Sequence, residues 1–245
     1  MKTLARLLLP CVVAGCVTPL PPPPPPTTIH ASDSSVFMPA GRIAIESPTR
    51  SRDPSDPGLG GALELSYLRG RGSDTQVLNA GDQPIRFGNA SFAAPQEVRH
   101  DFRLDWYEVD ARARFFSPDA DRHFGVEFLV GAAFPRLNFQ VSSATQKASE
   151  TFGSGGPVLG IGGLVRFRPG TYAHGRYSYY YGTGGSGDLE HAKRTEIYLA
   201  QALAKNVVVR AGYVAWTMNV KRDDIRFSDL ELQMRGPSLA LDLVF

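Results

Sequence analysis

At 245 residues and a formal net charge of +2, the chain has room for one domain and too little charge to hold nucleic acid by electrostatics. Hydrophobic residues make up 42% of it, yet beyond residue 20 no apolar run nears the roughly 18 residues of a membrane helix, so any crossing of a membrane falls to strands. Cys11 and Cys16 are the two cysteines, which leaves everything after them without a disulfide or a thiolate for metal or nucleophilic chemistry.

The chain opens with Lys2 and Arg6 ahead of an apolar run over 7–13, the charged and hydrophobic parts of a secretory signal peptide assigned to 1–15. Val13-Ala14-Gly15-Cys16 resembles the lipobox of bacterial lipoproteins. That resemblance implies lipidation at Cys16 by lipoprotein-processing enzymes. Val17, standing where an Asp would be expected to retain the protein at the inner membrane, implies sorting to the outer membrane of a Gram-negative envelope. Pro21 to Pro26 form a polyproline II spacer of about 3.1 Å per residue. Residues 16–59 are accordingly read as a disordered, Pro-rich tether in which only Arg42 to Glu46 looks strand-like.

From residue 60 onward, two-residue periodicity recurs between turn signals. Eight strands are predicted, over 61–69, 101–116, 122–141, 156–168, 171–182, 193–204, 206–221 and 236–245, with Phe227 as an alternative start for the last. The connections at 117–122, 168–171 and 204–206 are short. Those at 70–100, 142–155, 183–192 and 222–235 are long, the alternation seen in transmembrane barrels. Aromatic residues gather near strand ends as interfacial girdles do. Phe115, Phe116, Phe124, Phe167, Tyr172 and Phe245 fall at the short-turn ends, and Trp106, Tyr107, Phe134, Phe139, Tyr179, Tyr180, Tyr181 and Trp216 at the others.

The last strand alternates Leu239, Leu241, Leu243 and Phe245 with Ser238, Ala240 and Asp242. Strand pattern, loop alternation and terminal Phe245 over residues 60–245 are similar to the small eight-stranded outer-membrane barrels of the outer-membrane protein A and X type. The resemblance implies an all-β, antiparallel, up-and-down transmembrane barrel of eight strands. It also implies that Phe245 is an assembly signal read by the barrel-assembly machinery, and that outer-membrane lipid and lipopolysaccharide are the surroundings. A lipobox departs from that family's usual signal.

Strand parity sends a mixed set of charges inward: Glu64, Glu108, Asp110, Arg112, Arg114, Glu127, Arg166, His174, Arg176, Glu196, Arg210 and Asp242. Acids and arginines in near balance within a narrow barrel are expected to pair with one another and close the lumen. Gly125, Gly131, Gly160, Gly162 and Gly212 are expected on the same face to make room for them, and strand six has the least certain parity, with Tyr198 or Gln201 out of place.

No catalytic constellation is expected. His174 and Ser178 share a strand face but stand about 13 Å apart by strand rise, too far for a nucleophile and its base. His100, His123 and His191 lack metal-ligand spacing, Gly160-Ile161-Gly162-Gly163 precedes no helix, and no cofactor or metal is implied. The 70–100 loop is the best candidate for binding, but its mixed set of Arg69, Arg71, Asp74, Asp82 and Arg86 fits a solvated loop, the favoured reading, as well as it fits lipopolysaccharide phosphates or a surface ligand. The reading is a non-catalytic outer-membrane lipoprotein with a structural or surface-interaction role. A narrow, porin-like pore, a tethered periplasmic lipocalin-like protein and a lipid A-modifying enzyme stay open as alternatives.

Overall fold

The computed structural model describes residues 27–47, 59–117, 124–168, 170–184, 189–221 and 227–245. Cys16, the signal segment and the proline tract lie outside them. The described residues are all-β, in a large, mostly antiparallel sheet. In chain order the strands are β1 (Ile29–Asp33), β2 (Met38–Ser47), β3 (Leu59–Leu78), β4 (Ile85–Phe87), β5 (Ala90–Phe92), β6 (Gln96–Phe116) and β7 (Phe124–Ser142). They continue with β8 (Lys147–Gly153), β9 (Gly156–Arg168), β10 (Thr171–Tyr181), β11 (Leu189–Ala204), β12 (Val207–Val220) and β13 (Leu230–Val244).

Pairing runs β2-β3-β6-β7-β9-β10-β11-β12-β13 and returns from β13 to β2, a closed ring of nine strands rather than the expected eight. The eight expected strands correspond to β3, β6, β7, β9, β10, β11, β12 and β13. The ninth, β2, comes from the segment read as tether. It pairs antiparallel with β3 from Ala40↔Leu68 to Ser47↔Gly61, and parallel with β13 from Ser238↔Met38 to Val244↔Ala44. An odd number of alternating strands leaves its first and last members pointing the same way, so closure through a parallel pair is obligatory. Strand β1 continues along β13, Ile29↔Leu230 to Asp33↔Met234. Between the two segments the chain crosses Gly236, where a Cβ would fall 2.0 Å from the Val36 carbonyl oxygen, so no other residue fits without displacing that backbone.

Among the described residues, much of what was expected as long loop is ordered strand. Strands β3 and β6 stay paired out to Leu78↔Gln96, β8 adds to β7, and β4 with β5 forms a separate hairpin. That hairpin buries Ile85, Phe87 and Phe92 completely or nearly so, and closes one end of the ring as a lid. Phe87 lies 5.7 Å from Phe139, 6.1 Å from Phe152 and 6.0 Å from Phe227 between ring centroids. The opposite, turn end holds Gly170, the connection at 205–206 and Phe245. There Ala202 N donates to Gly170 O at 2.7 Å and Val244 N to Asn206 O at 3.0 Å.

Candidate functional site

Side chains of a strand alternate faces, and in this ring the apolar face changes side partway along the strands. In β6 the exposed positions Tyr107, Val109, Ala111 and Phe115 are apolar and their buried neighbours Glu108, Asp110 and Arg112 are charged. Toward the lid, the same strand buries Val98, Phe102, Leu104 and Trp106 and exposes Glu97 and Arg99. The change is a slip in phase where two large residues follow one another: Tyr67-Leu68 in β3, Trp106-Tyr107 in β6, Phe134-Pro135 in β7, Tyr213-Val214 in β12. Register aligns the slips, since Tyr67 pairs with Tyr107 and Tyr107 with Phe134, while Tyr213 pairs with Pro237 at the point where β13 changes over.

In the turn-end half the interior is ionic. Glu127 is the hub: Arg114 Nη2 donates to its Oε2 at 2.9 Å, Arg176 Nε to its Oε1 at 3.0 Å, and His174 Nε2 lies 2.6 Å from Oε1. Glu64 receives Arg42 Nη1 at 2.8 Å and Arg176 Nη2 at 3.4 Å, and pairs with Arg112, which also reaches Glu46. Asp242 receives Arg42 Nη2 at 2.5 Å and Arg210 Nη2 at 3.0 Å. Arg194 Nη2 donates to Glu108 Oε1 at 2.9 Å and its Nε to Ser178 Oγ at 3.1 Å, so Ser178 is engaged by arginine and His174 by a carboxylate. Planar guanidinium forks suit such shared pairing. Gly162 lacks a side chain where one would meet the Glu127 carboxylate at 2.8 Å, which leaves the hub its space.

Of the twelve interior residues expected, Glu64, Glu108, Asp110, Arg112, Glu127, His174, Arg176, Glu196, Arg210 and Asp242 are buried. Arg114 and Arg166 are half-buried at the turn end, around a cavity of about 110 Å³ shared with Glu46 and Phe116. Asp110 differs from the rest: both its carboxylate oxygens are buried with no hydrogen-bond partner among the described residues. Arg42 and Arg194 are additional members of this network. Arg42 sits on the unanticipated β2, and Arg194 shares its parity with Glu196, so that signal was present in the sequence. Tyr198 points inward, its hydroxyl donating to Ser238 Oγ at 3.0 Å with the Arg210 guanidinium 4.5 Å over its ring. Gln201 instead meets Thr171 beside a register shift.

Above the ionic layer comes an aromatic one. Trp106 and Trp216 lie 4.5 Å apart, with Tyr180 edge-on to Trp106 at 5.2 Å and Arg194 5.2 Å from the Trp216 ring. Trp106 Nε1 donates to Glu108 Oε2 at 2.6 Å, joining the two layers. Trp106, Trp216, Phe139 and Tyr180, expected in an outer girdle, are thus interior, as is Phe116 at the other end. Tyr107, Phe134, Tyr179 and Tyr181 do face outward near the level of the slip, as Phe115, Phe124, Phe167 and Phe245 do at the turn end. Higher still, His100 packs against Phe139 with neither ring nitrogen hydrogen-bonded among the described residues, and burial pushes its pKa down to about 4.

The residues expected to form a binding loop are dispersed. Arg86 belongs to the lid hairpin, and Asp82 closes a turn by accepting Asn79 N at 2.7 Å. Asp74 accepts Ser32 N at 2.7 Å and so fastens β1 to β3. Arg69 and Arg71 stand on the outer wall. There Asp105 accepts Tyr67 Oη at 2.6 Å, Arg69 Nε at 2.7 Å and Arg103 Nε at 2.9 Å. Burial alone would raise the Asp105 carboxyl, and these three donors instead hold it well below the usual carboxylate range.

Comparison with family models, with curated proteins and with solved structures gives no match. The functional reading therefore rests on this geometry.

Proposed function

We propose that the chain is a non-catalytic β-barrel lipoprotein of the bacterial outer membrane, inserted in lipid by its turn-end half only. Its lid-end half stands in water and offers a surface for interaction. The observation that carries the reading is the turn-end wall. Ile43, Leu63, Leu65, Val109, Phe128, Val130, Leu159, Ile161, Ile197, Leu199, Leu239 and Leu241 are all about half exposed, around an interior of paired charges. In water such a belt is a large exposed apolar surface with no compensation, whereas in lipid it is the favourable arrangement. Tyr107 to Phe115 and Phe124 to Phe134 have the length of roughly nine to eleven residues that a tilted strand needs to cross a bilayer.

The filled interior favours a closed barrel over a conducting one: two stacked layers, ionic and aromatic, occupy the path a solute would take. Cys16 would add a lipid anchor preceding the first strand, and Phe245, at the exposed end of β13, would serve as the assembly signal.

Heat-modifiable migration tests the insertion. The full chain folded into phosphatidylcholine vesicles is expected to run at a different apparent size before and after boiling in dodecyl sulfate, and to float with the vesicles. A chain that stays in the aqueous fraction with the same mobility in both samples contradicts the proposal.

A further inference from the structure

Directly lidward of the Tyr67↔Tyr107↔Phe134 row, the next outward-facing row is Arg69↔Asp105↔Arg136 and the one after it Arg71↔Arg103↔Asn138. Two rows thus hold four arginines and one aspartate. Neighbouring strands are about 4.8 Å apart and alternate residues about 6.8 Å apart along a strand, so the backbone positions of these arginines, on three strands and two rows, span a patch of about 10 Å by 7 Å. Arg71 lies opposite Arg103, a like-charge cross-strand pair that costs stability unless an anion lies between them. Asp105 is already shared by Arg69 and Arg103, so it offsets only part of the charge.

The patch is bordered by two unlike hollows. On the turn-end side, the outer wall sinks into an apolar furrow of about 680 Å³ along β2, where Pro39 and Gly41 lie low between Leu241, Leu243 and Leu65, with Tyr107 and Arg69 at its rim. On the lid side is a polar groove of about 720 Å³, with Arg71 and Arg103 at one edge, Asn138, Gln140, Ser149 and Thr151 across it, and two carboxylates in its lining, Glu150 and Asp101, the latter held by Arg99. Apolar furrow, cationic rows and a groove lined by hydroxyls, amides and two carboxylates, all able to bond sugar or glycerol hydroxyls, follow one another in the order of an amphipathic lipid's chain, phosphate and headgroup.

We propose that this outer wall is a binding site for a phosphate-bearing lipid with a hydroxylated headgroup. The acyl chain lies in the furrow over Gly41, the phosphate on Arg69, Arg71, Arg103 and Arg136, and the headgroup in the polar groove. The site rests on the membrane reading above, because it places the phosphate where the apolar wall ends. Arginine binds phosphate through paired N–H donors, and anionic lipid surfaces attract each nearby basic residue.

The test uses the full chain in phosphatidylcholine vesicles, either plain or doped with phosphatidylglycerol or a diphosphorylated glucosamine lipid, followed by gentle extraction and native mass spectrometry of the lipid retained. Retention of both anionic lipids over phosphatidylcholine is expected, greatest for the sugar lipid. R71Q/R136Q removes two exposed charges and leaves Asp105 its partners; it should weaken retention by about fivefold for each arginine removed. G41L fills the furrow, and its Cβ meets nothing closer than the Leu241 carbonyl oxygen at 3.9 Å, so the variant is expected to fold and to lose retention while keeping its charges. Equal retention of neutral and anionic lipid by a chain that floats with plain vesicles overturns this inference and leaves the membrane reading standing. Failure to float overturns both. Displacement of the retained lipid by inorganic phosphate at matched concentration would show a site for free phosphate and overturn the lipid assignment.

Discussion

The two halves of the ring are built from the same strands and are opposites. At the lid end, Phe102, Leu104, Trp106, Phe139, Met218 and Met234 are buried under a wall carrying Arg99, Arg136, Lys193, Thr195 and Arg235, the arrangement of a protein folded in water. At the turn end, arginines and carboxylates are buried under Leu, Ile, Val and Phe. A strand does not have to turn over to make this change. One pair of adjacent large residues shifts the apolar phase by one position, and aligning that pair across neighbouring strands turns it into a boundary around the ring. Which face of a strand is apolar is thus set separately from the direction in which the strand runs.

The contrast can be broken from the inside of the ionic half. Replacing Glu127, which holds Arg114, Arg176 and His174, by Ala leaves buried cations uncompensated, and the expected loss is about 3 to 5 kcal/mol. Denaturant titration of the vesicle-folded chain measures it, and a loss under about 1 kcal/mol on the same scale would mean the hub is solvated. From the outside, Leu241→Arg in the middle of the β13 apolar stretch is expected to cost about 2 to 4 kcal/mol in a bilayer. Gln233→Arg, on the same face eight residues nearer the lid, should stay within about 0.5 kcal/mol. Equal effects at the two positions would erase the proposed boundary.

Acid should discriminate between the halves through His100. Its folded pKa, about 4, lies below the ordinary histidine value of 6.5, so the unfolded chain takes up a proton first as pH falls. The contribution of this buried neutral ring is complete above pH 6.5, declines between 6.5 and 4, and is constant below; up to roughly 3 kcal/mol is at stake. The emission of Trp106 and Trp216, the chain's two tryptophans, follows loosening of the lid-end packing. His100→Phe should remove that dependence, and an unchanged pH profile in the variant would assign it elsewhere. The smallest effect is expected at Asp110, whose carboxylate lacks a hydrogen-bond partner among the described residues. Asp110→Asn should be neutral or slightly stabilising in the titration that shows the Glu127 loss, and a cost comparable to Glu127→Ala would mean that Asp110 is an ion-pair member after all.

The turn-end half was legible in the sequence, because alternation of Leu239, Leu241 and Leu243 with Ser238 and Asp242, or of Val109 and Ala111 with Asp110 and Arg112, specifies both faces at once. In β2 the alternation of Arg42, Ala44 and Glu46 with Ile43 and Ile45 was visible as a strand-like stretch, but the segment was assigned to the tether and not to the barrel. The prolines, serines and small residues on either side of it read locally as linker, and only pairing with a strand some 200 positions away makes it part of the ring. Trp106 and Trp216 were assigned to a girdle because composition near strand ends does not say which face a residue takes. The phase slip at Trp106-Tyr107 does say so, once β6 is followed back to Val98. The lid hairpin had no such signal: its three-residue strands are too short for periodicity, and burial of Phe87 depends on Phe139, Phe152 and Phe227 arriving from distant segments.

The most direct test of the central claim is accessibility along the outward face of β13. Nitroxide labels placed singly at 231, 233, 235, 239, 241 and 243 of the vesicle-folded chain, on a background without Cys11 and Cys16, can be relaxed by oxygen, which partitions into lipid, or by a water-soluble nickel chelate. The account predicts that the chelate dominates at 231, 233 and 235 and oxygen at 239, 241 and 243, with the crossover at the Gly236-Pro237 step. Chelate accessibility continuing unchanged through 243 would contradict it.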